Sequence, residues 1–317
     1  VPTIPLDLSG RKRAAFEAVS GLLQRREVDV VHAHNGAAAF FSCLALARAG
    51  RGSVVATQHF IKPAREGRKG VHRAISSLAH SWVNARISRW IAISDAVASG
   101  IHSRGDCPGG RIRVVPNGVP APDADEPERA GARSMIGLEA APPVVVCVAR
   151  LEEEKGHLTL LRALALLRAE GLDFRAALVG EGSLRSSLEA EVRSLALDGL
   201  VRLVGHQDRP GVWMKAADVL VLPSPGEPFG LALTEAMSRG LPVVGAASGG
   251  PLEIICPQSG FLFQPGDPRD LAFSLLRLLR DRPLREEMGA AGRRRWARFY
   301  GVERMVGEVA SVYREVA

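Results

Sequence analysis

The sequence predicts an α/β protein built as two doubly wound, Rossmann-like parallel-sheet domains facing a cleft. Three observations predict it. Short apolar runs that finish on polar groups alternate with helical patterns from residue 11 to the end, and fully apolar runs are what strands covered on both faces need. Residues 120–142 interrupt this alternation with a Pro- and acid-rich stretch that reads as a connector. A length of 317 residues with 46% apolar composition is enough for two cores.

Residues 11–27 place Ala15, Phe16, Val19, Leu22 and Leu23 at helical spacing and lead into a strand at 29–34. A buried helix over 37–49 and a strand over 53–59 follow. His32, His34 and His59 therefore lie at or near the carboxyl ends of strands, where open α/β sheets bind ligands. A histidine there more often serves a structural hydrogen bond than a ligand. Residues 62–90 are basic, with Lys62, Arg65, Arg68, Lys69, His72, Arg73, Arg86 and Arg89 against the single acid Glu66. Val71, Ile75, Leu78 and Trp82 share one helical face within it. Such a helix either docks on an anionic membrane or, as surface helices generally do, buries the stripe against a sheet. Docking would make the protein peripheral on the inner face of the membrane and its substrate lipid-linked. Residues 90–94 form a strand ending at the N-cap pair Ser94-Asp95, and residues 111–119 another, closed by Asn117-Gly118. Asp123-Ala-Asp125 spells a metal-binding triplet, but no strand end holds it rigid, and no metal site is expected.

The second half opens with an apolar strand over 143–151. Arg150 and Lys155 share the loop before the next helix, and two cations beside a helix N-terminus suit a diphosphate. They would also neutralise charge on a departing phosphate. A strand at 174–179 ends in the glycine turn Gly180-Glu-Gly182, whose backbone could approach a nucleotide closely. The strand at 201–205, including Leu203, would flank the base. An apolar strand over 218–223 precedes Glu227-Pro-Phe-Gly230 and a helix carrying Glu235. The helix start favours an anion, whereas ionised carboxylates only accept hydrogen bonds and suit paired sugar hydroxyls. A strand at 241–245, a glycine turn at Gly249-Gly250, and helical patterns over 268–280 and 284–317 complete the chain.

Composition narrows the partners. A net charge of +7 favours anions without choosing among them. Aromatics total 5% and no nucleic-acid module is recognised, so nucleic acid is not expected. No apolar run approaches the roughly 20 residues that span a bilayer. The chain opens without an apolar leader or a Met, so its start is read as not native. Cys43, Cys107, Cys147 and Cys256 lie far apart, which suits a reduced, cytoplasmic protein.

The run from Glu227 to Val244, with Glu227-Pro-Phe-Gly, Glu235-Ala-Met and Gly240-Leu-Pro-Val-Val, resembles the donor-sugar motif of family 4 of the retaining, GT-B-fold glycosyltransferases. Thr57-Gln-His59, the strand ending Pro116-Asn-Gly-Val119, Arg150 through Lys155-Gly156 and Gly249-Gly through Glu253 are similar to further motifs of that family. Ala149 stands where the family usually has Gly. The resemblance covers nearly the whole chain and implies an acceptor-side domain over 1–119, a linker over 120–142, a nucleotide-sugar domain over 143–298 and a C-terminal helix, 299–317, crossing back. It implies transfer of a hexose, with retention and without a metal or cofactor, from a UDP-, GDP- or ADP-sugar to a hydroxyl of a glycan, glycolipid or small molecule, as in polysaccharide or glycoconjugate biosynthesis.

By the same resemblance Arg150 and Lys155 would hold the diphosphate, Glu227 the sugar and Glu235 the ribose. The backbone of Phe229, Gly230 and Leu231 would support phosphate and sugar, with Gly180, Gly182, Leu203, Gly249 and Gly250 around the donor, and His59 would orient the reacting sugar. The family also has a first strand and a glycine loop ahead of the first helix, which this sequence lacks. A truncated transferase with weakened turnover is expected unless upstream sequence supplies the loop. The alternative is a non-catalytic module that binds nucleotide sugars; a sugar-nucleotide epimerase fits the Glu227-Pro-Phe-Gly230 context less well.

Overall fold

The computed structural model describes residues 12–61, 71–107, 109–138 and 142–317. Its contacts divide the chain into two compact units, Val1–Pro116 with Met305–Ala317, and Asn117–Arg304. Unit 1 runs α1 (Lys12–Gln24), β1 (Val30–Ala33), α2 (Gly36–Ala49), β2 (Ser53–Gln58), α3 (Val71–Arg86), β3 (Arg89–Ala92), α4 (Asp95–Ser103) and β4 (Ile112–Val114). The four strands pair in parallel in the order β1-β2-β3-β4. Side chains start its helices: Asn35 accepts from the Ala38 amide ahead of α2, and Ser94 from the Val97 amide ahead of α4.

Unit 2 runs α5 (Arg129–Met135), β5 (Val144–Val148), α6 (His157–Ala169), β6 (Arg175–Val179), α7 (Arg185–Ser194), β7 (Val201–Gly205), α8 (Pro210–Ala216), β8 (Val219–Leu222), α9 (Leu231–Ser238), β9 (Val243–Ala246), α10 (Pro251–Ile254), β10 (Gly260–Phe263), α11 (Pro268–Arg280) and α12 (Arg282–Phe299). The last helix, α13 (Val302–Val316), returns the chain to unit 1 from Met305 onward, where Val312 packs with Val55, Ile91 and Val115. The six strands of unit 2 are parallel in the order β10-β9-β8-β5-β6-β7. Chain order reverses between β5 and β8, and a sheet that reverses in this way opens a crevice at the carboxyl ends of those two strands. Its core is built on α6, whose Leu160, Leu161 and Leu164 are fully buried with Phe174 and Leu178. Burying each leucine contributes about 2 kcal/mol.

Three sequence expectations change shape. The strand over 111–119 is confined to Ile112–Val114: the Val115 amide still donates to the Ala92 carbonyl, but Pro116 has no N–H to continue the ladder. The stretch 120–142 contains α5, which buries Ala132 against Val212 and Ala216 of α8. The helical pattern over 284–317 is two helices, separated at Tyr300-Gly301. Of the basic stretch, residues 62–70 lie outside the described residues, as do the side chains of 71–77. The rest of α3 turns Val83 and Asn84 inward, leaves Leu78 exposed, and sets Trp82 against Phe40 with the Arg86 guanidinium over its ring. No helix among the described residues is long and apolar enough to cross a membrane.

Candidate functional site

The loops that follow β5 and β8 meet at the point where unit 2's strand order reverses. After β5 the chain makes a tight turn, Glu153–Lys155, and leaves it through Gly156 with φ of +69°. A side chain at Gly156 would run into the Pro223 carbonyl at the end of β8, so only glycine lets the two loops touch. That contact sets Lys155 beside Glu227: the Lys155 ammonium donates to Glu227 Oε2 at 2.8 Å. The side chains are only 19% and 12% exposed, so each charge relies on the other in place of water. Arg150, on the same loop, is exposed and donates to Glu154 at 2.6 Å. A pair of that kind is worth about 0.5 kcal/mol, so Arg150 can turn to an anion at little cost.

The segment after Glu227 is held from behind. Phe229 is buried and meets the Tyr300 ring edge-on at 6.1 Å. Gly250, at the start of α10, lies so close to the Phe229 backbone that a Cβ would collide with it, and its amide donates to the Glu227 carbonyl at 2.9 Å. Tyr300 and Arg295 in turn donate to carbonyls of Glu253 and Ile254. Gly230 (φ +110°) opens α9, and no side chain caps its first turn, so amides there are available to an anion. Leu231 is half exposed at that end. Glu235, one turn further on, has its carboxyl held above the usual range by burial, an effect Arg239 partly offsets.

The remaining predicted residues line the same edge without all facing open space. Gly180 and Gly182 press on the backbone of Ala149 and Leu151, so their close approach is to the Arg150 loop. Gly249 turns the chain with φ of +63°. Leu203 packs against the core, and its carbonyl accepts from Arg185 at 3.3 Å.

In unit 1 the structure brings His32, His34 and His59 together. His34 Nδ1 and His59 Nε2 are 3.1 Å apart, and His32 stacks beside His34 at 4.3 Å between centroids. His32 is fully engaged, 2.6 Å from the Tyr313 hydroxyl and 2.7 Å from Thr57 Oγ1. Burial foremost, then its histidine neighbours, push its pKa down to about 4, and burial followed by His34 lowers that of His59. His32 is therefore neutral at pH 7, and the contact between His34 and His59 is one between two ring nitrogens, in which one donates and the other accepts.

Sequence reasoning missed two supports. His157, the first residue of α6, is 2% exposed with neither ring nitrogen partnered among the described residues, and burial first and Lys155 second push its pKa down to about 4. Its place directly after Lys155-Gly156 was the available signal. Asp218, just ahead of β8, gathers Arg129, Arg133 and Arg285 at 2.6 to 3.3 Å around a cavity of about 440 Å3. That cavity lies at the amino end of β8, away from the loops described above. Asp125 of the acidic triplet pairs with Arg209 at 3.5 Å.

The family model for glycosyl transferases group 1 matches residues 132–295, and that for glycosyltransferase family 4 matches residues 1–121. A D-inositol 3-phosphate glycosyltransferase from Nocardioides sp. is 32% identical over 71% of this chain and 53% of that protein. Sulfoquinovosyl transferase of Arabidopsis thaliana is 29% identical over 92% of this chain and 56% of its own length. The chain thus spans about half the length of these relatives. Among solved structures, Anabaena HepE in complex with UDP superposes with a TM-score of 0.82 at 23% identity, covering 95% of this chain and 82% of that one. Sucrose-phosphate synthase from Thermosynechococcus elongatus superposes with 0.80 at 24% identity, covering 99% and 80%. These likenesses give the fold, GT-B, and with the group 1 model matching more than half of its residues the chain belongs to the glycosyl transferases group 1 family.

Proposed function

We propose that this chain acts as a retaining, metal-independent glycosyltransferase that moves a hexosyl group from a nucleoside diphosphate sugar to an acceptor hydroxyl. The observation that carries this reading is the Lys155–Glu227 pair at the strand reversal. It joins a cation suited to a diphosphate to a carboxylate suited to sugar hydroxyls. A bound donor would separate them, Lys155 turning to phosphate with Arg150 and Glu227 accepting from the sugar. Glu235 would accept from the ribose. The amides at Phe229, Gly230 and Leu231 would add the positive end of α9.

In the reaction the acceptor oxygen bonds to the anomeric carbon while the bond from that carbon to the diphosphate breaks. The acceptor's proton passes to the departing phosphate oxygen, leaving a glycoside and a nucleoside diphosphate. Arg150 and Lys155 stabilise the charge that builds on the leaving group, which is why no metal is assigned a step. His59 is given the orienting role toward the reacting sugar. The solved complexes of HepE with UDP and with UDP-glucose support a uridine donor as the first to test. The wide spacing of Cys43, Cys107, Cys147 and Cys256 along the sequence supports a reducing, cytoplasmic setting.

The test is calorimetry with UDP, GDP and ADP and their hexose conjugates, with and without Mg2+, followed by a search for released nucleoside diphosphate. Binding of one nucleotide without metal, lost in Lys155→Ala, and turnover that retains the anomeric configuration are expected. Binding without turnover would favour the non-catalytic module. Inversion, or binding only with Mg2+, would overturn the mechanism.

A further inference from the structure

The cavity at the amino end of β8 is lined by more positive charge than its own carboxylates neutralise. Arg129 and Arg133 of α5 and Arg282 and Arg285 of α12 face it with Asp218 and Glu286, and four guanidiniums against two carboxylates leave two positive charges over. Arg129 and Arg133 stand four positions apart and Arg282 and Arg285 three. Each helix therefore sets two like charges on one face, which is unfavourable in an isolated helix.

Two of these arginines are fixed and two are accessible. Arg133 and Arg285 have side chains 14% and 12% exposed and reach Asp218 at 2.7 and 3.3 Å. Both also donate to backbone carbonyls, Arg133 to Ala216 and Arg285 to Leu278 and Leu279. Arg129 and Arg282 are 47% and 79% exposed. Arg129 donates to Asp218 Oδ1 at 2.6 Å and Arg282 to Glu286 at 2.7 Å. A guanidinium has five N–H donors in a fixed fork, so these two have donors to spare for a ligand. The exposed Arg282–Glu286 pair holds only weakly.

Fastening α5 and α12 to the sheet does not account for the surplus. Asp218 already has both oxygens covered, Oδ1 by Arg129 and Arg285 and Oδ2 by Arg133 and the Val144 amide. Even so, Arg133 is held below its usual pKa, burial foremost, with Arg129 and Arg285 working against the attraction of Asp218. An anion in the cavity would relieve that repulsion. The space, about 440 Å3, is that of a small-molecule site, and half-buried Pro142 and Pro143 bring ring carbon to its wall.

We propose that this cavity binds a phosphate monoester. Its phosphate, with close to two negative charges at pH 7, meets Arg129 and Arg282 above a floor of Arg133 and Arg285, and its organic part lies on Pro142 and Pro143. The site stands at the amino ends of β5 and β8, whereas Lys155 and Glu227 lie beyond their carboxyl ends. It needs nothing from the transferase reading.

The test is calorimetry on the full chain at low ionic strength with phenyl phosphate, inorganic phosphate and phenol, and separately with UDP. Arg150 and Lys155 could also take a phosphate, so the first three are titrated into Lys155→Ala as well as the parent. Lys155→Ala is expected to bind one phenyl phosphate, about 10-fold more tightly than inorganic phosphate because the ring covers apolar surface, and not to bind phenol. Arg129→Gln and Arg282→Gln should each weaken phenyl phosphate about 10-fold, the loss of a charge-assisted hydrogen bond, and leave UDP affinity as in the parent. If Arg129→Gln melts early, Arg282→Gln, at an exposed pair, carries the test. No phenyl phosphate binding to Lys155→Ala, or binding indifferent to both arginine variants, would overturn the site. Inorganic phosphate binding as tightly as the ester would overturn the ester and assign the cavity to the free ion. UDP binding that survives alongside a failed phenyl phosphate titration sinks this proposal and spares the transferase reading. Arginine-dependent phenyl phosphate binding with no UDP binding does the reverse.

Discussion

At the carboxyl edge of unit 2's sheet the paired groups are ions, Lys155 on Glu227 and Arg150 on Glu154. At the same edge of unit 1's sheet they are imidazoles, His32 tied to Tyr313 and Thr57 and His34 against His59. Both edges are built on parallel strands, yet one holds paired ions and the other a buried imidazole, His32, whose pKa burial pushes down to about 4. An ion pair at 2.8 Å with little access to water is a poor final state for two charges, and a ligand that brings an anion to Lys155 and hydroxyl donors to Glu227 would exchange for it. A histidine held neutral by burial attracts no anion at pH 7 and instead offers one donor and one acceptor per ring. Under the proposed function the contrast would place the anionic part of the donor at unit 2 and neutral, hydroxyl-bearing parts at unit 1.

The sharpest way to break that contrast is Lys155→Ala. It removes the cation and leaves Glu227 nine-tenths buried and unpaired. Losing the charge-assisted contact from Lys155 to phosphate is expected to cost about 3 kcal/mol, so nucleotide affinity should fall at least ~100-fold. Calorimetry with UDP reads this directly. A variant that keeps its affinity would move the anion site away from unit 2's strand reversal.

Acid should sharpen it. His157 in unit 2 and His32 in unit 1 both have pKa values pushed down to about 4 from 6.5. Below pH 6.5 the unfolded chain takes up protons that the folded chain refuses, so stability is full above pH 6.5 and is lost as pH falls toward 4. For the almost fully buried His157 the loss amounts to about 3 kcal/mol. Trp82 and Trp90 report on unit 1, and Trp213 and Trp296 on unit 2. In variants keeping one pair, His157→Leu should make unit 2's fluorescence transition less acid-sensitive and leave that of unit 1 as it was. An unchanged acid midpoint in unit 2 would mean that His157 is reached by water.

Glu235→Gln separates stability from binding. Burial holds the Glu235 carboxyl above its ordinary range, so the parent loses stability as pH rises from about 4.5 through the raised pKa. The amide does not ionise, and at pH 7 the variant should melt about 2 °C higher. Its nucleotide affinity should nevertheless drop about 10-fold, because a carboxylate accepts from ribose hydroxyls more strongly than an amide. Melting and calorimetry on one sample check both signs; a variant weaker in both would make Glu235 a structural residue.

How much of this was legible in the sequence follows from how local each feature is. The strands and the loops carrying Arg150, Lys155 and Glu227 could be read, because apolar runs, glycines and charges sit within a few positions of one another. That Lys155 meets Glu227 could not, since the contact depends on Gly156 abutting Pro223. The helix α5 was hidden because prolines and acids around it read as a connector, while the buried face that holds it rests on Val212 and Ala216, some 80 residues later. His32, His34 and His59 were visible as strand ends, but their division of labour was not. His32 is distinguished only by Tyr313, 281 positions away.

That last contact gives the smallest and most local prediction. In Tyr313→Phe the ring stays and one hydroxyl goes, so His32 loses the partner of its Nδ1 while Thr57 keeps its Nε2. A net cost of about 1 kcal/mol is expected. It should appear in the unit 1 tryptophans alone, since Met305–Ala317 belongs to that unit. UDP affinity should not change, because the anion site is assigned to unit 2. If the hydroxyl instead mattered for turnover with no loss of stability, His32 would have to act on substrate, and the division between a histidine that fastens the sheet and two that face outward would fail. Tyr313→Phe with His34→Ala distinguishes the cases: additive losses leave His32 structural, whereas a double variant no worse than either single one puts both rings in one functional unit.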